Sequence, residues 1–241
     1  YLVLGVDNKI GESTKENNGG SGKSFMVKMI LNYMISEKHI DGRNYELMKS
    51  QFILDGVTKE TDVIHYEDLG AHFDITTLFN GVTGKMTANP KGKTPIAINF
   101  ENFAKIVGTM NAVPSKLDAS SRRRLWVFEC CDYYHEKGAD YTETRTIKND
   151  FEKELYDEKY TISEWANDDN FMMYALQFYL SLDAKIEVDG GNLHKRNLVQ
   201  KVGDVAMKFF KEFFSSENDL GEWGYVDTKG LLWIHKKSVH D

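Results

Sequence analysis

The residues of this chain that are best suited to chemistry lie at positions 17–24, in the sequence NNGGSGKS. Glycines allow a backbone turn so tight that successive N–H groups point at one anion. In such a loop Lys23 contacts the β- and γ-phosphates of a nucleotide, and the Ser24 hydroxyl binds Mg²⁺. We therefore predict a phosphate-binding loop whose nucleotide contacts are Asn18, Gly19, Gly20, Ser21, Gly22, Lys23, Ser24 and Phe25.

The flanking segments have the character that such a loop requires. Residues 1–6 form a short apolar run of strand type, and residues 25–35 have helical character. A helix that begins near Lys23 directs its positive end at the same phosphates. The full pattern has a glycine where Asn17 stands, so we interpret Gly5 as a displaced first glycine followed by a polar insertion. The alternative is a glycine-rich surface turn.

Two acidic residues at the end of an apolar run are the next candidates. Residues 61–66 are rich in β-branched side chains, and Glu67 and Asp68 follow them directly. A buried parallel strand with carboxylates at its carboxyl end has this pattern. Both acids are candidate Mg²⁺ ligands together with Ser24, with Glu67 assigned mainly to the metal and Asp68 mainly to activation of water; the roles are interchangeable. The alternative is a pair of solvated acids. Within the same run we expect His65 to be a hydrogen-bonded core histidine.

Asn111 and a run of arginines complete the set of candidate catalytic residues. Asn111 follows the predicted strand at 104–110, where a polar side chain can position the attacking water, although Asn is also a common turn residue. The run Arg122–Arg124 precedes the predicted strand at 125–130. A charge run usually solvates a helix end, but an arginine from a neighbouring subunit can stabilise a phosphoryl-transfer transition state. Arg123 and Arg124 are the better candidates because they are nearest to the strand.

A predicted hairpin over residues 81–99 concentrates lysines in an acidic protein. Lys85, Lys91 and Lys93 lie on it, and the last two belong to its predicted turn at residues 89–93. Lysines at a hairpin tip suit contacts with a nucleic-acid backbone that do not depend on sequence. An ordinary soluble hairpin is the alternative interpretation.

The composition sets limits on the class of protein. The chain has 241 residues, 41% hydrophobic and 28% charged, which is ordinary for a soluble globular protein. Its net charge of −7 excludes nucleic-acid binding through bulk positive charge. Two adjacent cysteines, Cys130 and Cys131, suit neither a disulfide nor a metal site. We expect a cytoplasmic protein with no membrane segment, and a chain that begins inside a strand suggests a piece of a longer protein.

The pattern of apolar and charged residues in the sequence changes near residue 135. The segment 1–135 reads as an α/β core, and 136–241 reads as a mainly helical lid or collar region with a small terminal hairpin at 223–235. Within the second segment we predict helices over 150–156, 163–182 and 193–214 from charge and apolar spacing.

Taken in order, the motifs resemble those of a known family. GGSGKS (a Walker A pattern), VIHYED, the lysine hairpin, KIVGTMN and SSRRRL resemble superfamily-three helicases, particularly the helicase domains of phage, plasmid and mobile-element primase-helicases of Bacteroides type. The resemblance covers about residues 1–135. Beyond that point only the helical character is similar.

The resemblance implies a P-loop NTPase fold of AAA+-like type, with a parallel sheet in the order 5-1-4-3-2 flanked by helices. It also implies hexameric rings that bind ATP and Mg²⁺ between subunits and act on single-stranded DNA. Lys23 and Ser24 match the phosphate and metal residues of that family, Glu67 and Asp68 its acidic pair, and Asn111 its polar sensor. The arginine finger, supplied in trans, falls within Arg122–Arg124, and Lys91 and Lys93 match the lysines of the pore hairpin.

These observations favour an ATP-hydrolysing DNA helicase or translocase domain of a mobile-element replication protein, fused to or paired with a primase. Two alternatives remain open. One is an AAA+ ATPase or P-loop switch that acts on protein partners and never contacts DNA, which the acidic net charge favours. The other is a small-molecule kinase that uses the same loop as a monomer.

Overall fold

A five-stranded parallel sheet is the centre of the computed structural model. The structure describes residues 1–7, 20–114, 118–138, 141–156, 158–184, 186, 202–203, 205–206, 224–226 and 232–234. The described residues up to Ile186 form one unit, and the later ones belong to a second. The predicted helix at 193–214 lies almost entirely outside the described residues, and the division of the chain near residue 135 stays a prediction.

The strands of the sheet are all parallel to their neighbours. In chain order they are β1 (Leu2–Asp7), β2 (Glu37–Asp41), β3 (Val63–Leu69), β6 (Lys105–Met110) and β7 (Leu125–Cys130). Across the sheet the order is β2-β3-β6-β1-β7. When these five strands are numbered along the chain and read from β7, the order is 5-1-4-3-2. The carboxyl ends of all five strands therefore lie at one end of the sheet, and their amino ends at the other.

The interior strands are apolar on both sides because layers cover both faces of the sheet. In β3 the consecutive residues Val63, Ile64, His65 and Tyr66 are all buried, and in β6 every residue after Lys105 is buried. Continuous burial of this kind is typical of strands in parallel sheets. It explains why the apolar runs of the sequence predicted these strands well.

Helix α1 (Lys23–Leu31) directly follows the glycine-rich segment and packs on the sheet. Its Val27 is buried against Val63 of β3 and Val107 of β6. Burying a valine side chain contributes about 1.5–3 kcal/mol to folding, so this contact holds the start of α1 over the middle of the sheet. The predicted helix extended to residue 35, but α1 ends at Leu31, where Asn32 is the C-cap.

Within the described residues from 32 to 186 there are five further α-helices, which are short except for the last. They are α2 (Tyr45–Lys49), α3 (Asn80–Thr83), α4 (Ala119–Arg122), α5 (Ile147–Phe151) and α6 (Ile162–Ser181). The predicted helix at 150–156 was misplaced: α5 ends at Phe151 because Glu152 has a left-handed backbone with φ 59°. Helix α6 begins where expected, and a capping box between Thr161 and Glu164 explains its start.

Two antiparallel hairpins lie outside the main sheet. The first pairs β4 (Lys85–Ala88) with β5 (Ile96–Asn99), as the lysine-rich segment predicted. The second pairs β8 (Gly224–Val226) with β9 (Leu232–Ile234), in agreement with the predicted terminal hairpin. In the part of the chain that the structure describes, no helix is both long and apolar enough to cross a membrane.

Gly5 is a strand residue, and its interpretation as a displaced loop glycine was wrong. Strand β1 continues through Gly5 to Asp7, and Gly5 pairs with Thr109 on one side and Phe128 on the other. A Cβ atom at this position would lie 2.6 Å from the Phe128 ring. Glycine at this position allows the aromatic ring to pack directly on the strand backbone.

Candidate functional site

The glycine-rich segment enters α1 through two left-handed residues. Gly20 has φ 97° and Gly22, the N-cap of α1, has φ 87°. A Cβ atom at either position would meet no atom within 4 Å, so the backbone angle and not space favours glycine. Met26 N–H donates to the Gly22 carbonyl at 2.9 Å, which forms the first turn of the helix. The predicted contacts Asn18 and Gly19 lie outside the described residues.

Lys23 turns back to the carboxyl end of β1. Its Nζ atom lies 2.5 Å from Oδ1 of Asp7 and 3.2 Å from Oγ of Ser21, and the Ser21 hydroxyl also donates to Asp7. The Lys23 and Asp7 side chains are each only 4% exposed. The lysine is thus held at the sheet by a buried carboxylate. The sequence predicted that this strand ends at residue 6, one residue before Asp7.

Ser24 and Glu67 are brought together across the carboxyl end of the sheet. The Glu67 carboxylate accepts a hydrogen bond from Nε2 of His39 at 2.9 Å, and the Ser24 side chain lies near it. The hydrogen bond from His39 foremost, with a smaller contribution from Ser24, holds the pKa of Glu67 below its usual value. Glu67 is therefore ionised at neutral pH and faces a hydroxyl. Carboxylate and hydroxyl oxygens are metal ligands of the type that Mg²⁺ prefers.

A β-bulge interrupts the pairing of β3 with β6 at Glu67 and Asp68. The register of β3 against β6 shifts between Tyr66 and Leu69, so the two acids lie opposite the single residue Thr109. Asp68 has φ 53°, and its backbone N–H donates to the Thr109 hydroxyl at 3.0 Å. Its carboxylate contacts Arg43 at 2.7 Å. The bulge explains how two consecutive residues of one strand both reach the same end of the sheet.

Asn111 lies where the sequence analysis expected it. It follows β6 directly and is half-buried. Strand β6 lies between β1, which ends at Asp7, and β3, which carries the acids. Asn111 is therefore at the carboxyl end of the sheet, between the strand that contacts Lys23 and the strand that ends in Glu67 and Asp68.

The arginines lie at the opposite end of the sheet. Leu2 N–H donates to the Arg124 carbonyl at 2.8 Å, which places Arg124 beside the first residue of β1. At about 3.3 Å per residue, the six-residue strand separates this position from Asp7 by about 17 Å. The Arg124 guanidinium donates to Thr83 at 3.2 Å and to Ser120. Arg123, in contrast, is exposed.

The lysines of the hairpin divide into two groups. Lys91 and Lys93 lie in the turn, with exposed side chains, whereas Lys85 pairs with Asn99 at the other end of the hairpin. The turn is attached to the preceding loop, because Lys91 N–H donates to Asp55 and the Asn89 amide donates to the Gln51 carbonyl. The structure therefore brings Lys91 and Lys93 together and separates Lys85 from them.

Two other predicted residues have structural neighbours that the sequence did not indicate. The Phe25 ring stacks on Tyr156, with ring centroids 5.2 Å apart. His65 is buried, as expected, but neither ring nitrogen forms a hydrogen bond. The Nδ1 atom lies 3.5 Å from Oε1 of Glu37, at ion-pair distance. Burial lowers the pKa of His65. The histidine is thus kept neutral by its surroundings.

Comparison with known proteins gives a family match of limited extent. The match is to DUF5906, a family of unknown function, over residues 16–124. No curated protein matches the chain. Two apo structures of the C-terminal region of NrS-1 are similar, both at 15% identity, with TM-scores of 0.44 and 0.39. They cover 90% and 89% of this chain, which spans 45% of each of them. Similarity at this level assigns neither fold nor function.

The sequence analysis missed four residues that shape the site: Asp7, His39, Arg43 and Thr109. Asp7 follows an apolar run and precedes polar residues, so it resembled the start of a loop. A strand that ends in a carboxylate was the available signal, the same one that identified Glu67. The contacts of His39, Arg43 and Thr109 with the two acids depend on how β2 and β6 pair with β3. Among the residues that the structure describes, no three His, Cys, Asp or Glu side chains form a metal-binding cluster.

Proposed function

We propose that this chain binds ATP with Mg²⁺ at the carboxyl end of the sheet and hydrolyses it, as a helicase or translocase domain that acts on single-stranded DNA in a mobile-element replication protein. One observation carries the proposal. Lys23 and Ser24 begin helix α1, Lys23 contacts Asp7 at the carboxyl end of β1, and Ser24 lies near Glu67 at the carboxyl end of β3. Nucleotides bind at this end of open parallel sheets.

The residues present fit a Mg²⁺–nucleotide complex. Mg²⁺ is usually held by one or two carboxylates or hydroxyls together with phosphate oxygens and water, and not by a cage of protein ligands. Ser24 and Glu67 would hold it here, and the ionised state of Glu67 suits that role. The metal, when bound, neutralises charge on the phosphates during phosphoryl transfer.

The other residues have separable roles in the proposed hydrolysis. Lys23 contacts the β- and γ-phosphates, with the N–H groups at the start of α1 around it. Asp68 accepts a proton from the attacking water, and Asn111 orients that water. The proximity of Ser24 to Glu67 supports the assignment of the metal to Glu67. Asp68 is assigned to the water because it lies next to Glu67 at the same end of the sheet.

The position of the arginines supports an oligomer. Arg123 and Arg124 lie at the amino end of the sheet, and the phosphate residues lie at its carboxyl end. An arginine finger from this run therefore acts on the nucleotide of a neighbouring copy, as in a ring of the proposed hexameric type. Because Arg124 is engaged by Thr83 and Ser120, the exposed Arg123 is the better candidate.

Contact with DNA is assigned to the exposed turn of the β4–β5 hairpin. Lys91 and Lys93 both lie in this turn, while Gly92 between them has φ 73° and shapes it. Two cations on one turn suit contacts with consecutive phosphates of a single strand. Lys85, at the far end of the hairpin, is assigned a lesser role.

A second candidate function is an ATPase that acts on a protein partner. The observation that favours it is the exposure of α6. Among the described residues of this helix, none is buried. Apolar side chains on this helix are strongly exposed, including Ile162 (89%), Tyr174 (70%) and Leu180 (72%). Exposed apolar surface of this kind is typical of protein interfaces.

The experiment that separates the candidates measures ATP hydrolysis with and without a poly-dT oligonucleotide, together with the molar mass by light scattering. The proposed function predicts hydrolysis that DNA stimulates, in an assembly of several copies. Hydrolysis that is indifferent to DNA favours the protein-directed ATPase. Absence of hydrolysis under all conditions contradicts both.

A further inference from the structure

Asp7 is placed to compete with a nucleotide for Lys23. Its Oδ1 atom lies 2.5 Å from the lysine Nζ, and both side chains are 4% exposed. The Ser21 hydroxyl donates to the same oxygen and accepts from the lysine, which closes a three-membered polar network. The position of Nζ is thereby fixed by a carboxylate of the chain itself.

The ion pair between Asp7 and Lys23 affects the stability of the fold because both side chains are buried. Removing one partner of a buried ion pair leaves an uncompensated charge in the interior, which strongly destabilises the fold. The second carboxylate oxygen of Asp7, Oδ2, is buried and has no hydrogen-bond partner. The buried Asp7 carboxylate is thus stabilised mainly by its contact with Lys23. Its negative charge already balances the positive charge of Lys23 before any other anion approaches.

We propose that Asp7 is an internal counter-ion that weakens nucleotide binding by occupying Lys23, so that a phosphate must displace or share that contact. This inference rests on the proposed function, because it concerns the same lysine. A phosphate oxygen that approaches Nζ also approaches the Asp7 carboxylate, and two anions at such a distance repel each other. Asp7 therefore sets the affinity of the site below what its phosphate-binding groups alone would give.

The variant Asp7→Asn tests this directly because it removes the charge and keeps the shape. We expect it to bind MgADP at least about tenfold more tightly, since like-charge repulsion at a contact costs several kcal/mol. Its melting temperature should fall in buffer, where Lys23 is left uncompensated, and should rise more than that of the wild type when MgADP is added. Calorimetric titration with MgADP and thermal unfolding measure the two effects.

A matched control removes a carboxylate from the same end of the sheet. Asp41 ends β2 and is exposed, so Asp41→Asn changes the net charge equally without touching Lys23. We expect its affinity for MgADP to equal that of the wild type. Equal tightening in Asp41→Asn and Asp7→Asn would overturn the inference, because general electrostatics would then explain both.

The remaining outcomes separate the inference from the function on which it rests. If the wild type binds MgADP and Asp7→Asn binds it equally or more weakly, the counter-ion role is wrong and the nucleotide site stands. If neither protein binds MgADP, the nucleotide site and the inference fail together. Should Asp7→Asn not fold, Asp7→Ser provides the same test, because a small hydroxyl can still contact Lys23 without a charge.

Discussion

The Nε2 atom of His39 lies 2.9 Å from Oε2 of Glu67. The two residues are on neighbouring strands, β2 and β3, and the parallel register aligns His39 with His65 and Asp41 with Glu67. This contact is the largest cause of the lowered pKa of Glu67, to which the nearby Ser24 also contributes. A residue from an edge strand thus orients the acid to which we assign Mg²⁺ binding.

Replacing Glu67 by glutamine should abolish hydrolysis with little effect on nucleotide affinity. The amide retains the shape but supplies no charge for the metal, and we expect the rate of ATP hydrolysis to fall at least about 100-fold. Steady-state phosphate release and MgADP titration measure the two quantities. Glu46→Gln, an exposed change on α2, serves as the control. Full hydrolysis by Glu67→Gln would remove this residue from the proposed site.

Replacing Arg123 by alanine should lower hydrolysis about 10³-fold or more in the assembled protein, because the finger contributes to the transition state. Nucleotide affinity should change little. Lys105→Ala is the control, since Lys105 is an exposed cation at the same amino end of the sheet. The Arg123→Ala/Arg124→Ala double variant covers the case in which the two arginines share the role.

Mixing variants tests whether the arginine acts in trans. Arg123→Ala subunits retain an intact Lys23, and Lys23→Met subunits retain an intact Arg123. A mixture should therefore hydrolyse ATP faster than either variant alone. If the mixture shows no more activity than the sum of its components, a finger supplied by a neighbouring subunit is excluded.

Replacing Lys91 and Lys93 together by alanine should leave basal hydrolysis unchanged and remove its stimulation by single-stranded DNA. Each lost phosphate contact lowers the slope of log affinity against log salt by about 0.7 for a single strand. The DNA affinity of the double variant should therefore be both weaker and less dependent on salt. Lys49→Ala/Lys59→Ala, on exposed residues elsewhere, is the control. Unchanged DNA affinity would show that the hairpin turn does not bind DNA.

The strands were predictable from the sequence because burial in a parallel sheet requires unbroken apolar runs. Strand β7 occupies the predicted residues, Leu125–Cys130, because its run LWVFEC begins directly after the arginines at 122–124. The end of α5 was not predictable, since the left-handed backbone of Glu152 has no local sequence signal of the glycine kind.

The site was predictable only in those parts that depend on residue type and chain order. Lys23 and Ser24 belong to a local motif, and Glu67 ends an apolar strand. The contact of His39 depends instead on which strands are neighbours and on their register, which apolar patterning does not specify. Asp7 had the same signal as Glu67, a carboxylate at the end of an apolar strand, but the sequence did not indicate its contacts with Ser21 and Lys23.

Burial of His65 predicts that the protein loses stability in mild acid. The pKa of His65 is lowered from its usual value of about 6.5. The unfolded chain therefore binds a proton that the folded chain does not, so stability is complete above about pH 6.5 and falls as the pH decreases toward the folded pKa. His65→Leu should show a smaller loss of urea stability between pH 7.5 and 5.5.

The control for this prediction is another histidine outside the core. His72 is exposed, and His72→Leu should keep the acid sensitivity of the wild type. Equal pH dependence in His65→Leu and the wild type would show that other groups cause the loss of stability.

The most direct test of the nucleotide site is hydrolysis of MgATP by Lys23→Met. Methionine preserves the length of the side chain and removes the charge, and Lys28→Met, an exposed change in the same helix, is the matched control. We predict that Lys23→Met folds, as judged by circular dichroism, and hydrolyses no ATP, while Lys28→Met has wild-type activity. Wild-type hydrolysis by a folded Lys23→Met protein would contradict the proposed site.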